Sequence, residues 1–389
     1  MALISQSIPN LINGVSQQPP SLRLNTQAEL QENGLSSVVS GLSKRPSSQH
    51  IADLGVISNL DKAFIHTIRR DENEFYSMVV DTAGTIRVFD KDGVAKTVTN
   101  NAASYLSGLT NPNEELAAVS IADATFIINK NTVVAKAATV SPTRNPEALV
   151  YVKQADYAST YRLKITKGSN TGTIEFATKS STQSSTGLTQ NAERGASTDL
   201  IANNLARFSS TNVSTSFYDN ITNSGAISGI NITRYGSVLW IRSTNSTDFQ
   251  VEVGDSHGGD HLKVFKNETP DFKQLPVEGP NNFVIGVSGD NSKAQDDYYV
   301  KFSDGVWKET VEPNILIALD PATLPHKLSK LVNGNFEFNP AAFANRKVGD
   351  DDTNPFPSFV GFKLADIFFH KNRLGVLADE NVIFSSAGE

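Results

Sequence analysis

The sequence has one cluster of residue types that bind metals, His257-Gly-Gly-Asp260-His261. Two imidazoles and a carboxylate within five residues are possible zinc ligands. The two glycines favour a turn, however, and the three side chains do not share the helical face on which H-E-x-x-H sites depend. We therefore interpret this segment as the solvated tip of a hairpin, and the sequence predicts no metal site and no cofactor.

Three successive carboxylates, Asp350-Asp351-Asp352, precede Thr353-Asn354-Pro355. Calcium-binding loops place their ligands at every second position and add a later Glu, and that spacing is absent here. Asp residues followed by Thr and Asn are typical of turns that side-chain hydrogen bonds stabilise. We expect an acidic loop.

The chain carries no signature of a common enzyme class. It has no Cys, which excludes thiol catalysis, and it lacks the P-loop, Rossmann and nucleophile-elbow motifs. A glycoside hydrolase needs two suitably spaced carboxylates, which the 41 acidic residues could supply in any fold. Aromatic residues could form a sugar platform, but at alternate strand positions they more often pack in a core. The candidates are Trp240, Trp307, Tyr298 and Tyr299.

The charge balance of 34 basic and 41 acidic residues gives a net charge of −7. This balance argues against a dedicated nucleic-acid binder, which would carry a basic face. It is compatible with a passage through which DNA slides without being held. Charged residues make up only 19% of the chain, and abundant Ser, Thr and Asn are typical of a β-rich surface.

Short apolar runs separated by turn signals predict a mainly β fold. Phe64–Ile68, Phe75–Val80 and Ile86–Phe89 are such runs, and Asp92-Gly93 is a hairpin signal. Strands linked up and down in this way are typical of a propeller blade or of one sheet of a sandwich.

Two stretches depart from this pattern. Residues 1–50 contain chain breaks at Gln17-Gln18-Pro19-Pro20 and Lys44-Arg45-Pro46, with at most one helical turn at Gln27–Glu32, and we interpret them as an extended arm or a flexible terminus. Residues 146–274 combine strands with a Ser/Thr-rich segment, 178–189, that we expect to be a mobile loop. They also contain the clearest helix, capped by Ser197 or Thr198.

The sequence thus predicts a repetitive, mainly β architecture, either propeller blades or sandwich sheets, that is interrupted by a small α+β insertion; the partial β-propeller with inserted domains is what the resemblance described below implies. The expected organisation is an arm (1–50), first blades (51–145), an inserted α+β domain (146–274), a β-rich segment with loops (275–350) and a return to propeller strands (351–389). The last strands have no closing partner, and the chain looks truncated there.

Several short motifs are similar to the nozzle, or tail tubular protein B, family of short-tailed phages. They occur in order along nearly the whole chain and match poorly only at residues 150–275. The motifs are Ile4-Ser-Gln-Ser-Ile8, Gly14-Val15-Ser16-Gln17-Gln18-Pro19, Gly41-Leu42-Ser43-Lys44-Arg45-Pro46, Ile86-Arg87-Val88-Phe89-Asp90, Asn129-Lys130-Asn131, Trp307-Lys308-Glu309-Thr310, Asp352-Thr353-Asn354-Pro355 and Asn372-Arg373-Leu374-Gly375.

The resemblance implies a virion structural protein of the phage tail, made in the host cytoplasm. Six copies would form a ring below the adaptor, tail tubular protein A, with tail fibres at the junction and the host envelope at the tip. Viral DNA would pass through the ring without sequence-specific binding. The resemblance also implies a propeller with inserted domains and family members about twice as long, so that this chain corresponds to the N-terminal half.

Six residues are the predicted assembly contacts: Gln17, Gln18, Pro19, Lys44, Arg45 and Pro46. Proline stiffens an arm, while Lys and Arg offer donors to a neighbouring subunit. A local turn and a solvated pair of charges are the alternative interpretation of these residues. Two other functions stay open: a tail-associated enzyme that degrades surface polysaccharide, and a glycan-binding adhesin.

Overall fold

A computed structural model describes residues 10–181, 196–209, 221–223, 227–289 and 297–387. Motif residues 4–8 and most of the Ser/Thr-rich segment lie outside this part. The described strands, in chain order, are β1 (Gly34–Ser37), β2 (Gly41–Lys44), β3 (Phe64–Arg69), β4 (Phe75–Val80), β5 (Ile86–Asp90), β6 (Ala95–Lys96), β7 (Val98–Asn100), β8 (Leu116–Ile121), β9 (Ala124–Asn129), β10 (Glu147–Val152), β11 (Thr160–Lys167), β12 (Asn170–Ala177), β13 (Ile221–Asn223), β14 (Ile230–Tyr235), β15 (Val238–Ser243), β16 (Gln250–Gly254), β17 (Leu262–Phe265), β18 (Glu268–Thr269), β19 (Val284–Val287), β20 (Tyr298–Ser303), β21 (Val306–Thr310), β22 (His326–Lys330), β23 (Phe336–Pro340), β24 (Leu364–His370), β25 (Arg373–Ala378) and β26 (Asn381–Phe384).

Helices are few and short in the described part of the chain. The α-helices are α1 (Pro112–Glu115) and α2 (Thr198–Leu205), and the 3₁₀ turns are Leu60–Lys62, Ala103–Leu106, Ala206–Ser209, Phe272–Gln274 and Pro321–Thr323. No helix among the described residues has the length and apolar character that crossing a bilayer requires. The prediction of a mainly β chain is confirmed.

The chain divides into two compact units, residues 1–56 with 89–95 and residues 57–88 with 96–389. The first unit contains the antiparallel hairpin β1–β2. The remaining sheets have the strand orders β3-β4-β5-β6, β7-β23-β22-β9-β8, β14-β15-β10-β17, β13-β12-β11-β16, β18-β19-β20-β21 and β24-β25-β26.

The sheet β7-β23-β22-β9-β8 has a core on each face. In β9, Ile127 belongs to a core with Met78 and Val88 of the β3–β6 sheet. The next residue, Ile128, belongs to a second core with Ile367 of the β24–β26 sheet. Because successive side chains of a strand point to opposite faces, a continuous apolar run such as that in β9 marks a strand buried on both sides.

The sheet β14-β15-β10-β17 is buried on both faces in the same way. Val150 of β10 shares a core with Leu163 of β11 and Ile201 of α2. Its neighbour Leu149 belongs to another core, with Ile285 and Val300 of the β18–β21 sheet. The predicted helix is confirmed: Ser197 is its N-cap residue, and α2 continues into a 3₁₀ turn that buries Phe208.

One buried lysine holds this α+β region together. The Lys167 ammonium at the end of β11 donates to the Gly229 carbonyl at 2.9 Å, the Ser243 hydroxyl at 2.9 Å and the Asn245 side-chain oxygen at 3.1 Å. These bonds tie β11 to the turn before β14 and to the end of β15. The ammonium thus has three neutral acceptors in a buried position.

Replacing Lys167 with Met is expected to lower the free energy of unfolding by about 2 kcal/mol, because the three acceptors lose their donor in a buried site. Urea denaturation followed by circular dichroism measures the change. Lys164→Met is the matched control, since its ammonium forms an exposed pair with Glu252 at 3.0 Å and should lose less than about 1 kcal/mol. Equal losses in the two variants would contradict a structural role of the buried ammonium.

Candidate assembly site

The N-terminal unit is built around the β1–β2 hairpin. Gly41 opens β2 with a φ of +74°, and a Cβ atom there would lie 2.3 Å from the Asn10 side-chain oxygen. The Ser36 hydroxyl donates to the Leu11 carbonyl at 2.7 Å. Only a glycine allows this left-handed backbone and this close approach together. The first described residues are therefore fastened to the hairpin.

The predicted contact segment Gln17–Pro19 lies in a fixed loop. Val15 and Ala28 form a parallel bridge at its base. The Arg23 guanidinium donates to the Gln18 carbonyl at 3.1 Å and pairs with Glu29 at 2.9 Å. Ala28 lies in this bridge, and residues 27–32 form no helical turn. The backbone bonds hold the loop while Gln17, Gln18 and Pro19 stay exposed.

The second predicted segment, Lys44–Pro46, ends the hairpin. Arg45 donates through its Nε to the Asn33 side-chain oxygen at 2.6 Å, and its backbone N–H donates to the Asn33 carbonyl at 3.0 Å. Asn33 has a φ of +54°. The guanidinium thus has an internal role at the base of the hairpin, whereas Lys44 and Pro46 are exposed. No hydrogen bond or ion pair within the described residues joins the two predicted segments.

The unit exposes large apolar side chains that the sequence predictions did not include. Of its described residues, only Gly41 and Phe89 are buried, and none of them belongs to the four hydrophobic cores of the described chain. Its exposed large apolar residues are Val15, Leu22, Leu24, Leu30, Leu35, Val38, Val39, Leu42, Ile51, Leu54, Val56 and Val94. Such clustered exposure marks interaction surfaces in soluble proteins. The sequence contains one sign of this exposure: the apolar residues of this unit do not alternate with polar ones, as they would in a strand that buries one face in a core.

The His257–His261 segment is a turn between β16 and β17, which lie in different sheets, and His261 is only 5% exposed. The interpretation of this segment as the solvated tip of a hairpin is therefore wrong. The two imidazoles stack with ring centroids 3.9 Å apart, and His257 Nε2 lies 2.8 Å from the Ser159 hydroxyl and 3.5 Å from an Asp156 carboxylate oxygen. A catalytic triad requires its hydroxyl and carboxylate on opposite ring nitrogens. Here both face Nε2, so the group is not a triad. The described residues contain no cluster of three metal-ligating side chains.

Asp255, two residues before this segment, organises the turn. Its carboxylate accepts backbone N–H bonds from His257, Gly259, His261 and Leu262 at 2.7 to 3.0 Å. Burial alone would raise the pKa of the Asp255 carboxyl, but these four bonds together lower that pKa to about 2. The carboxylate is therefore occupied by the backbone.

The acidic triplet is also occupied by local bonds. Asp350 accepts from the backbone N–H groups of Asp352 and Thr353 at 2.9 and 2.7 Å, and Asp351 pairs with Arg346 at 2.8 Å. Burial would raise the pKa of Asp350, but the hydrogen bonds from Thr353 dominate and lower it. These carboxylates stabilise an acidic turn, as the sequence indicates.

The aromatic candidates make structural contacts. Trp240 donates to Glu147 at 2.8 Å beneath the Arg242 guanidinium, and Trp307 donates to the Pro276 carbonyl at 2.7 Å. Burial, together with the nearby Glu312 carboxylate, raises the pKa of Tyr299 to about 12. Trp240, Tyr298 and Trp307 are partly buried and pack against the core between the β18–β21 sheet and the sheet that contains β10.

The comparison with known proteins decides the family. The family model described as bacteriophage nozzle protein matches residues 1–389. The chain belongs to the bacteriophage nozzle protein family. It is 36% identical to tail tubular protein gp12 of Escherichia phage T7 over an alignment of 399 residues, which covers 99% of this chain and 46% of the T7 protein.

Membership in the nozzle family confirms the resemblance found in the motifs and the prediction of a structural component of the phage tail. The chain spans about half the length of the T7 relative that it matches. The six predicted contact residues lie in the N-terminal unit, and their role in assembly stays a prediction.

Proposed function

We propose that this nozzle-family chain is a subunit of a ring in the phage tail and that its N-terminal unit joins it to a neighbouring subunit. The main observation behind this proposal is that the unit exposes many large apolar side chains and that none of its described residues belongs to a hydrophobic core. Burying these side chains against a neighbour would stabilise the contact by about 25 cal/mol for each Å² of apolar surface removed from water. Gln17, Gln18, Pro19, Lys44, Arg45 and Pro46 would border that contact.

The proposed assembly is a closed sixfold ring. In a ring of identical subunits each contact is head-to-tail, and closure makes the contacts cooperative. The proposed partners are the tail adaptor above the ring, the tail fibres at the junction and the host envelope at the tip. The relative's printed name, tail tubular protein, supports a tubular assembly.

Within the ring the proposed role is a passive conduit and gate for the genome. DNA in transit must not be held by its phosphates, because phosphate contacts by Lys and Arg supply most non-specific affinity. The net charge of −7 supports a wall of this kind. The subunit would therefore conduct viral DNA without catalysis and without reading its sequence.

The finer architecture is also a proposal: a partial β-propeller formed by residues 51–145 and 351–389, with an inserted α+β domain at 146–274 and a β-rich segment at 275–350. The chain leaves and returns at adjacent points, since Ser141 donates to the Glu312 carbonyl at 2.5 Å and Lys136 bridges to Leu319. This adjacency supports an insertion. Packing of the β18–β21 sheet on the β10 sheet suggests that the insertion extends to about residue 310.

Electron microscopy of the purified chain, with its native mass from light scattering, tests the proposed ring. We expect sixfold rings, formed either alone or after the adaptor ring is added. Rings formed by the chain alone would place the subunit contacts within these 389 residues. A chain that stays monomeric both alone and with the adaptor would contradict the assembly proposal.

A further inference from the structure

The second compact unit contains two bodies that, among the described residues, share neither a sheet nor a core. The insertion body, residues 147–310, consists of the three sheets formed by β10 to β21 together with α2, and the base body consists of the other sheets of this unit. The members of two cores all lie within residues 148–307. The members of the other two all lie within residues 64–134 and 319–383. Core packing therefore holds each body together separately.

The chain passes between the two bodies twice, through the linkers 142–146 and 311–314. Backbone hydrogen bonds between the segments 135–141 and 315–320 form an antiparallel ribbon, which leads from the base body to both linkers. Each linker contains proline, which fixes a φ angle and leaves bending to few residues. Two short, adjacent linkers between separate cores are typical of a hinge between rigid bodies.

Buried Ser141 fixes the base side of this hinge. Its hydroxyl donates to the Glu312 carbonyl at 2.5 Å and accepts from the Ile315 N–H at 3.0 Å. Beyond it, the Thr143 hydroxyl donates to the Asn314 side-chain oxygen at 3.3 Å, so the two linkers lie side by side. Movement of the insertion body is thereby confined to bending about this pair of linkers.

A backbone bridge at Gly349 joins the two bodies beside the linkers. The Gly349 N–H donates to the carbonyl of Thr310, the last residue of β21, at 3.2 Å, and the Glu312 N–H donates to the Gly349 carbonyl at 3.0 Å. A crevice of about 260 Å³ borders this bridge, with residues 297–310 on one side and residues 348–354 on the other. At this place the bodies meet across a gap that side chains do not fill.

The crevice carries negative charge from both bodies. Its described lining includes Asp297 and Glu309 of the insertion body and contains no Lys, Arg or His. Burial and nearby carboxylates, that of Glu312 first and that of Asp350 next, raise the pKa of Tyr299 in this lining to about 12. Asp350 belongs to the base body, so like charges face each other across the gap and repel.

We propose that the insertion body moves as one rigid body about the linkers 142–146 and 311–314, and that it tilts away from the base body at the crevice when the bond between Gly349 and Thr310 breaks. Repulsion across the crevice favours the open state, and salt favours the closed state because it screens this repulsion. Arg346, the cation of the base body near Asp350, is already paired with Asp351 at 2.8 Å. The movement belongs to a single chain, so this inference and the proposed ring can fail separately.

Pulsed electron paramagnetic resonance between two spin labels on the full chain tests the movement. The chain has no Cys, so cysteines introduced at exposed positions take the labels selectively. Asp260→Cys with Val332→Cys spans the two bodies, whereas Asp260→Cys with Thr171→Cys lies within the insertion body and Val332→Cys with Glu380→Cys within the base body. We expect the distance distribution of the spanning pair to be at least about twice as wide as that of either internal pair. Equal widths would overturn the proposal.

The salt dependence of the same distances tests the charge of the crevice. Raising NaCl from about 20 mM to about 0.5 M should at least halve the open fraction of the spanning pair. Asp297→Asn with Glu309→Gln should abolish this response. The control Asp248→Asn with Glu252→Gln removes two exposed carboxylates elsewhere in the insertion body and should keep it. No response to salt in the parent chain, or an equal response in both variants, would refute the role of the crevice.

Hydrogen exchange tests whether the two bodies are separate. Leu163→Ala, in a core of the insertion body, should speed amide exchange in β10 to β12 at least about thirtyfold and change exchange in β22 and β23 less than about twofold. Leu328→Ala, in a core of the base body, should have the reverse effect. If either variant is misfolded by circular dichroism, Ile165→Val and Ile127→Val give the same comparison with local changes of about threefold. A uniform response of both bodies would show a single cooperative unit and overturn the proposal.

Discussion

Replacing Val38 and Val39 by Asp is expected to reduce incorporation of the chain into tail rings by at least tenfold. These residues form the tip of the β1–β2 hairpin and are 81% and 96% exposed. In the proposed contact they are buried against a neighbour, and an Asp there would lose its hydration without gaining a partner. The loss repeats at every contact of a closed ring, so a small change per contact has a large effect on the assembly.

The hairpin itself should tolerate this change. Val38 and Val39 lie in a turn in which the Ser37 hydroxyl accepts the backbone N–H of Val39 at 3.2 Å, and Asp is a common turn residue. The measurement is the fraction of chain in rings by electron microscopy in the presence of the adaptor. Circular dichroism and the melting temperature should stay those of the unsubstituted chain.

Val332→Asp is the matched control. Val332 is a fully exposed valine in a turn of the second unit, so the substitution changes the same chemistry at an unrelated position. We expect ring formation to be unchanged in this variant. If both variants assemble normally, the apolar surface of the N-terminal unit is not the contact. If both fail, the loss reflects added charge and not the hairpin.

The same hairpin shows what a sequence can and cannot predict for this fold. Strands whose alternation or continuous apolar character reflects a buried face, such as β4 and β5, occur where the apolar runs place them. The hairpin β1–β2 was missed because it buries no face, so its pattern contains no core signal. The strands β22 and β23 were missed because their partners β9 and β7 lie about two hundred residues earlier, and local patterns do not report such pairing.

In the candidate sites, too, the sequence predicts the local turns but not the contacts that the fold creates. The His257 and Asp350 segments are turns, as their glycines and Asx-type sequences indicate. The side chain that organises the first turn, Asp255, carries no motif of its own, because its role depends on backbone N–H groups brought together by the fold. Likewise, Asp297, Glu309 and Asp350 look like ordinary surface charges in sequence and acquire a common environment only when β20, β21 and the segment 348–354 border one crevice.

The isosteric substitution Asp255→Asn is expected to lower the free energy of unfolding by about 3 kcal/mol at pH 7. The carboxylate accepts two backbone N–H bonds on each oxygen. An Asn keeps one oxygen and presents an NH₂ group to the other pair of donors, so two N–H groups lose their acceptor in a partly buried turn. Urea denaturation and hydrogen exchange at residues 257–262 measure the loss.

The effect should depend on pH in a direction that the pKa determines. The pKa of Asp255 is about 2 in the folded chain and has a model-peptide value of 3.8. A carboxyl whose pKa is lowered by folding contributes stability above its unfolded pKa and loses it as the pH falls through the folded value. The difference between the two proteins should therefore be constant from pH 7 to pH 5. It should shrink by about 2 kcal/mol between pH 4 and pH 2.

Asp260→Asn in the same turn separates this effect from loss of charge. The Asp260 side chain is 85% exposed and lies 3.8 Å from the Lys263 ammonium, so its removal should cost less than about 1 kcal/mol at any pH. Other carboxyls also titrate in acid; hydrogen bonds from Lys330 and Tyr76, for example, lower the pKa of Glu74 to about 2. These groups change the stability of all three proteins equally, so their contributions cancel when the proteins are compared. A similar loss in both Asn variants, or a difference for Asp255→Asn that persists at pH 2, would mean that the four backbone bonds do not hold the turn.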